Sequence, residues 1–245
     1  MYDEPKTSRI ARLSVAIGVA SCLALGAAGP LHRLGFLGLA GAFGVLKWAV
    51  YGAVATLVLA VIGIVIAVRR RSGRSTAVTA MILSVLSLGS LGVLAGKAAR
   101  VPRIHDVTTD TEHPPAFVAV LPLRAGALNP VEYGGPEIAA QQHRGYADIL
   151  PLMLSVPPAR AFDRALAAAQ TQGWELVASD AASGRIEATD TTFWFGFKDD
   201  VVIRVTATPD GSRVDVRSLS RVGGSDIGAN AARIRTYLAR LQSRP

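Results

Sequence analysis

Two groups of residues in this 245-residue chain carry side chains of the kinds that do chemistry. The first is compact: "IHDVTTDTEHPP" places His105, Asp106, Asp110, Glu112 and His113 within nine residues. Imidazoles and carboxylates together bind zinc or iron, so this is a candidate metal site, although its spacing matches no established ligand pattern. Turn capping and plain solvation of a polar linker are the competing roles. The second group is dispersed over strand-like stretches: Glu187, Thr189, Trp194, Arg204, Asp215 and Arg217, all placed on one sheet face by the alternation of side chains along strands. On that face Arg204 and Arg217 can make fork-like contacts with a carboxylate or phosphate, Asp215 can orient one of them, and Trp194 supplies a flat apolar wall. The competing reading is a solvated face with cross-strand ion pairs and a guanidinium stacked on the indole. A third stretch, "SRVGGSDIG", has the glycines and helix start of an anion site, or of a turn followed by an N-cap. No Ser/His/Asp or Cys/His arrangement, phosphate loop or pair of catalytic carboxylates stands out, so the sequence assigns no catalytic residue and no cofactor.

The elements that must hold these residues lie in the last 90 or so positions. Pro158 suits the first position of a helix, Phe162, Leu166 and Ala169 recur at helical spacing, and Gly173 ends the run. Four strand-like pieces follow, "WELVAS", "GRIEATD" leading into "TTFWFGF", "VVIRVTAT" and "RVDVRSLSR", with turn chemistry at "DAASG", "KDD" and "PDGS" that predicts an antiparallel sheet. A last helix begins near Ser225 or Asp226 and carries Ile227, Ala231, Ile234, Leu238 and Leu241 as one stripe, with Arg233, Arg235, Arg240 and Arg244 elsewhere on it. Val201, Ile203, Val205, Val214 and Val216 share the apolar sheet face, which two amphipathic helices would cover. The expected fold is therefore α+β, a two-layer domain with an antiparallel sheet packed by two helices. Alternation also places Phe193, Phe195 and Phe197 of "FWFGF" on the core face. Because Ile186 and Ala188 are out of phase with them, a bulge or break is expected within residues 190–192. The stretch before this, residues 102–158, is rich in Pro and Gly and should wrap the domain as extended segments and turns.

The first hundred residues are of another kind. They hold 11 Lys/Arg against 2 Asp/Glu, while residues 101–245 hold 15 against 16, so the two parts carry about +9 and −1. The basic excess flanks long apolar runs, where it acts on membrane topology, and nucleic acid is not an expected partner. Runs over about 10–28, 48–68 and 77–96 have 19, 21 and 20 residues, enough to cross a bilayer as helices. The glycine-broken segment between Arg33 and Lys47 reads as an interfacial or re-entrant piece. With the N-terminus inside, Lys6, Arg9, Arg12, Arg69, Arg70, Arg71 and Arg74 face the cytoplasm, against Arg33, Lys47, Lys97, Arg100 and Arg103 outside. Three spans then leave the domain on the far side, in a bacterium the periplasm. The single cysteine, Cys22, ends a lipobox-like "VASC", but the apolar run continues past it, and a spanning helix is the preferred reading. Gly18, Cys22 and Gly26, like Gly92 and Gly96, are spaced as small residues on a close-packing helix face, a route to a second copy of the chain or another membrane protein.

The blocks "IHDVTTDTEHPPAF", "HRGYADILPL", "AFDRALAAAQTQGWELVA" with "GRIEATDTTFWFGFKDDVVIRV", and "GSRVDVRSLSRVGGSDIGANAARIRTYLARL" resemble, in order, the bacterial family called domain of unknown function 1499. The resemblance covers about residues 101–243, and departs from the family where Ala147 stands in place of a proline after the tyrosine. It implies no established activity and transfers no catalytic residue. The expected organisation is a membrane region over 1–100 and an extracytoplasmic α+β domain over 101–245. The expected function is that of an inner-membrane protein whose periplasmic domain binds an anionic small molecule or an envelope protein in envelope organisation. A metal-dependent or hydrolytic envelope enzyme, and a structural subunit of a membrane complex, are the alternatives.

Overall fold

The computed structural model describes residues 9–243, so Lys6 and Arg244 lie outside the described residues. The chain forms two compact units: one ends at Gly96 and also takes in Trp194–Gly196, and the other comprises Lys97–Phe193 and the chain from Phe197 on.

The first unit holds α1 (Arg9–Arg33), α2 (Leu39–Arg70) and α3 (Arg74–Ala98), each long and apolar enough to cross a membrane. Their packing is the reverse of a soluble bundle. Buried positions are small and spaced three and four apart: Ala11, Ser14, Gly18 and Ser21 on α1, Ala49, Ala53, Thr56, Ala60, Gly63 and Ala67 on α2, and Ala77, Ala80, Ser84 and Ser87 on α3. Large side chains such as Leu23, Val58, Val65, Val85 and Leu86 point outward. Lipid tails are as apolar as leucine, so burying leucine between helices gains little, and close backbone approach decides the interface. A Cβ on Gly18 would stand 3.0 Å from Thr56 Cγ2 and 3.2 Å from Leu83 Cβ, so three helices meet there. Ser84 Oγ donates to Ala53 O at 3.0 Å across α3 and α2.

Of the glycines expected on helix-packing faces only Gly18 is buried, while Gly26, Gly92 and Gly96 have nothing within 4 Å of an added Cβ. The interface follows the alanine and serine rows instead, small residues spaced three and four apart along each helix. Cys22 is half-buried mid-helix, its Sγ 3.1 Å from Ser87 Oγ. Within the segment between Arg33 and Lys47, residues from Leu39 on are helical and belong to α2. A turn at 34–38, with Gly35 at φ +79 and His32 Nδ1 3.0 Å from Leu37 O, leads straight into α2. With 32 residues α2 is about 48 Å long, more than a hydrocarbon core of about 30 Å needs. Trp48 meets Tyr51 edge-on, and Lys47 Nζ lies 5.8 Å from the Tyr51 ring.

The second unit is built on an antiparallel sheet of β1 (Asp106–Thr108), β2 (Leu152–Leu154), β3 (Glu175–Asp180), β4 (Arg185–Thr191), β5 (Lys198–Thr208) and β6 (Gly211–Ser220), in the order β1-β6-β5-β4-β3, with β2 also on β6. Ile186, Ala188, Val201, Ile203, Val205, Val214 and Val216 form the apolar face, as expected. It is covered by α5 (Pro158–Gln170) through Ala161, Phe162, Ala165, Ala168 and Ala169, and by α6 (Ala229–Gln242) through Ala231, Ile234, Tyr237 and Leu241. Trp174 stacks on Tyr237 at 5.4 Å, and the Tyr237 hydroxyl donates to Ala165 O at 3.0 Å, which keeps that buried phenol satisfied.

Residues 109–134 run over the opposite face, where Phe117 and Val120 meet Val202 and Leu219 in a second, smaller core. β1 leads into this wrap, a 3-10 turn at Leu121–Arg124 lies within it, and α4 (Gly135–Gly145) follows it. None of these was legible as a periodic run, since each is short and held by long-range partners.

The phenylalanine alternation is corrected. Residues 192–197 are the connection of a hairpin, not a strand: Thr192 and Phe197 close it with two bonds at 2.8 Å, and Gly196 takes φ +71. β4 and β5 stay in register up to Thr191↔Lys198, and the expected break comes at Thr192, where β4 has ended, while the sheet's bulge lies in β3 between Leu176 and Ala178. Phe193 is 88% exposed and Phe195 8%, the latter buried in the first unit rather than in the sheet core.

Candidate functional site

The register of the sheet places the polar residues in rows. Arg185, Arg204 and Asp215 align across β4, β5 and β6, as do Glu187, Val202 and Arg217, and Thr189, Asp200 and Leu219. The wrap closes over these rows and meets them with complementary groups. Arg217 makes a two-pronged pair with Asp106 at 3.0 and 2.8 Å, donates to Pro115 O and Val131 O, and lies 5.0 Å and 5.7 Å from the Phe117 and Tyr133 rings. Glu187 is fully buried: its carboxylate accepts the backbone N–H groups of Val118, Ala119 and Val120 at 3.0–3.1 Å, and pairs with Arg185 at 3.0 Å. Asp200 accepts from Arg124, Arg221 and Thr189, with Arg124 at 2.6 Å. Asp215 and Asp110 together hold Arg204 and Arg213.

The proposed binding face is thus filled from within the chain. Glu187, Thr189, Asp215 and Arg217 are buried, Arg204 is held by two carboxylates, and Trp194 belongs to the first unit rather than to this face. Burying a charged side chain is costly unless it is paired and hydrogen-bonded, and Glu187, Arg204, Asp215 and Arg217 each have such partners. Burial pushes the Asp110 carboxyl up, but the His113 N–H and the Arg213 and Arg204 guanidiniums outweigh it, and the net result is a value below the usual carboxylate range. Arg124, Arg185, Asp200, Arg213 and Arg221 belong to this network and lie outside the binding set read from the sequence. Extending the alternation of β5 back by two residues from Val202 would have found Asp200.

The five candidate metal ligands are not brought together. Asp106 faces Arg217, Asp110 faces Arg204 and Arg213 and caps its own turn through the N–H groups of Glu112 and His113, and the His105 carbonyl accepts from Ser220 N and Asn230. Among the described residues no three His, Cys, Asp or Glu side chains group as a metal site. At "SRVGGSDIG" the Asp226 carboxylate accepts from the N–H groups of Gly228 and Asn230, so the chain's own acid occupies the start of α6. Burial pushes that carboxyl up despite the two bonds.

An open cleft lies beside the wrap. It has a volume of about 650 Å³ and is lined by Thr111, Glu112 and Pro114 from the wrap, by Tyr133, and by Gly135, Pro136, Ala139, Ala140 and His143 of α4. His143 Nε2 sits 3.0 Å from Thr111 Oγ1, which ties the two walls together. The Tyr133 hydroxyl is buried and has no hydrogen-bond partner among the described residues. Burial, reinforced by nearby Asp106, pushes that phenol up to about 12, so it is a donor at neutral pH. Its walls combine the apolar Pro114, Pro136, Ala139 and Ala140 with the polar Thr111, Glu112, Tyr133 and His143. No sequence signal pointed to Tyr133 or His143, since neither belongs to a spaced motif.

Three apolar helices followed by an α+β domain define a membrane protein with one folded extramembrane domain. The chain belongs to the family described as proteins of unknown function, DUF1499, whose profile matches residues 106–241, more than half of its length. The three apolar helices lie outside that match. No match was found among curated proteins or among solved structures.

Proposed function

We propose that the chain works in two parts, a membrane region over residues 1–100 and a domain over 101–245, in the inner membrane with the domain in the periplasm. We propose further that this domain binds a small molecule in the cleft beside Tyr133, as part of envelope organisation. Support for the orientation comes from Arg69, Arg70, Arg71 and Arg74, which crowd the short connection between α2 and α3 and resist translocation. The observation that carries the binding reading is the cleft itself, where Pro114, Pro136, Ala139 and Ala140 form an apolar wall beside the polar Thr111, Glu112 and His143. The fitting ligand is small and partly apolar, with a hydrogen-bonding group for the Thr111–His143 pair at the cleft wall. The polar face of the sheet has its charges already matched, so it is a scaffold for the wrap in this reading.

Native mass spectrometry of the full-length protein released from its own membranes tests this. A bound mass of a few hundred daltons is expected on the wild type and should be lost in Ala140→Trp, which fills the cleft, with the unfolding temperature unchanged. Identical spectra for the two proteins would overturn the assignment of the cleft.

A further inference from the structure

Pro30 stands inside α1, where most positions donate an N–H to the carbonyl four residues earlier. Proline has no N–H, so the Gly26 carbonyl loses its ordinary partner, and α1 is an apolar helix in which free backbone acceptors are poorly tolerated. The missing donor comes from 168 residues away: Trp194 Nε1–H donates to Gly26 O at 3.1 Å. Gly29, three residues on, makes room for the ring. A Cβ on Gly29 would stand 2.8 Å from both Cδ1 and Cγ of Trp194 and 2.9 Å from Cδ2, so the indole lies against bare backbone there.

The neighbouring residues extend the fit. Phe195 packs edge-on to Trp194 at 5.1 Å, stacks on Phe43 of α2 at 5.8 Å and tilts against His32 of α1 at 5.8 Å. Gly196 has φ +71, and a Cβ there would meet Arg33 Cγ at 2.8 Å, so the position requires glycine on two counts. The surface formed by Gly26, Gly29, Pro30 and Arg33 thus has a partner of matching shape and hydrogen bonding in Trp194-Phe195-Gly196.

We propose that this tripeptide is a clasp of the helical unit. Trp194 replaces the N–H that Pro30 lacks, and Phe195 ties α1 to α2 beyond the Trp48–Tyr51 level. The clasp accounts for the "WFG" run as an internal recognition element and makes Trp194 a positioning residue with a defined seat. It is independent of the ligand assigned to the cleft.

A double-mutant cycle on the full-length protein in lipid nanodiscs tests it. Trp194→Phe removes the donor and should lower the melting temperature read from helical circular dichroism. In a Pro30→Ala background residue 30 supplies its own N–H to Gly26, so the same substitution should lower it much less. A purely packing role for the indole predicts equal losses in both backgrounds, and that result would overturn the proposal. With 5-fluorotryptophan incorporated, Gly29→Val should shift the fluorine resonance of Trp194 and leave those of Trp48 and Trp174 in place. This readout serves if Trp194→Phe fails to fold, and an unmoved Trp194 resonance would equally overturn the clasp.

Discussion

Glu187→Gln is the sharpest test of the buried charge network, because it changes one atom at a site with no solvent. The carboxylate accepts Val118 N–H on both oxygens, Ala119 N–H on Oε1 and Val120 N–H on Oε2. A glutamine presents an amide nitrogen in place of one oxygen, so a buried N–H faces another donor. Each orphaned donor costs about 1–3 kcal/mol, and the lost charge on the pair with partly exposed Arg185 adds about 0–1. The expected loss is about 1–4 kcal/mol, which for a domain of this size lowers the melting temperature by roughly 3–12 °C. Glu187→Ala orphans all three donors, about 3–9 kcal/mol in the absence of entering water, comparable with the whole stability of an ordinary domain. Urea unfolding of the detergent-solubilised protein, followed by Trp174 fluorescence, gives the first number, and hydrogen exchange of residues 118–120 reports the wrap directly. A loss for Glu187→Gln below about 1 kcal/mol, with those amides still protected, would refute the claim that the carboxylate holds the wrap on the sheet.

Asp110→Asn should destabilise the protein at neutral pH and the difference should fade in acid. The folded carboxyl is held below the unfolded value of about 3.9, so its contribution is full above that value and is lost as pH falls through the folded one, which unfolding midpoints at pH 7, 5 and 3 would show. Phe193→Ala, at an 88% exposed position, should cost less than about 0.5 kcal/mol, while Phe195→Ala should cost about 3–5, both read from thermal unfolding of the full chain. Reporters fused after Arg74 should read cytoplasmic and those fused after Pro245 periplasmic, and a cytoplasmic C-terminus would sink the proposed orientation.

Much of this molecule was decided locally and is legible in its sequence. Apolar runs of bilayer length, the turns at "DAASG" and "PDGS", and the Ala231, Ile234, Leu238 and Leu241 stripe are local signals that need no distant partner, whereas "KDD" begins β5 instead of turning and Ile227 lies before α6. Val201, Ile203, Val214 and Val216 reached the expected face for the same reason. The alternating "FWFGF" misled because a strand and a hairpin tip both tolerate aromatic alternation, and only the seat on α1 distinguishes them. The polar sheet face shows the deeper limit. Asp106 and Arg217 lie 111 residues apart, and Glu187 lies 69 from Val118, separations at which pairing leaves no local mark. Alternation along a strand says which side a side chain faces. What lies on that side, water, a ligand or the protein's own wrap, is a property of the folded chain alone.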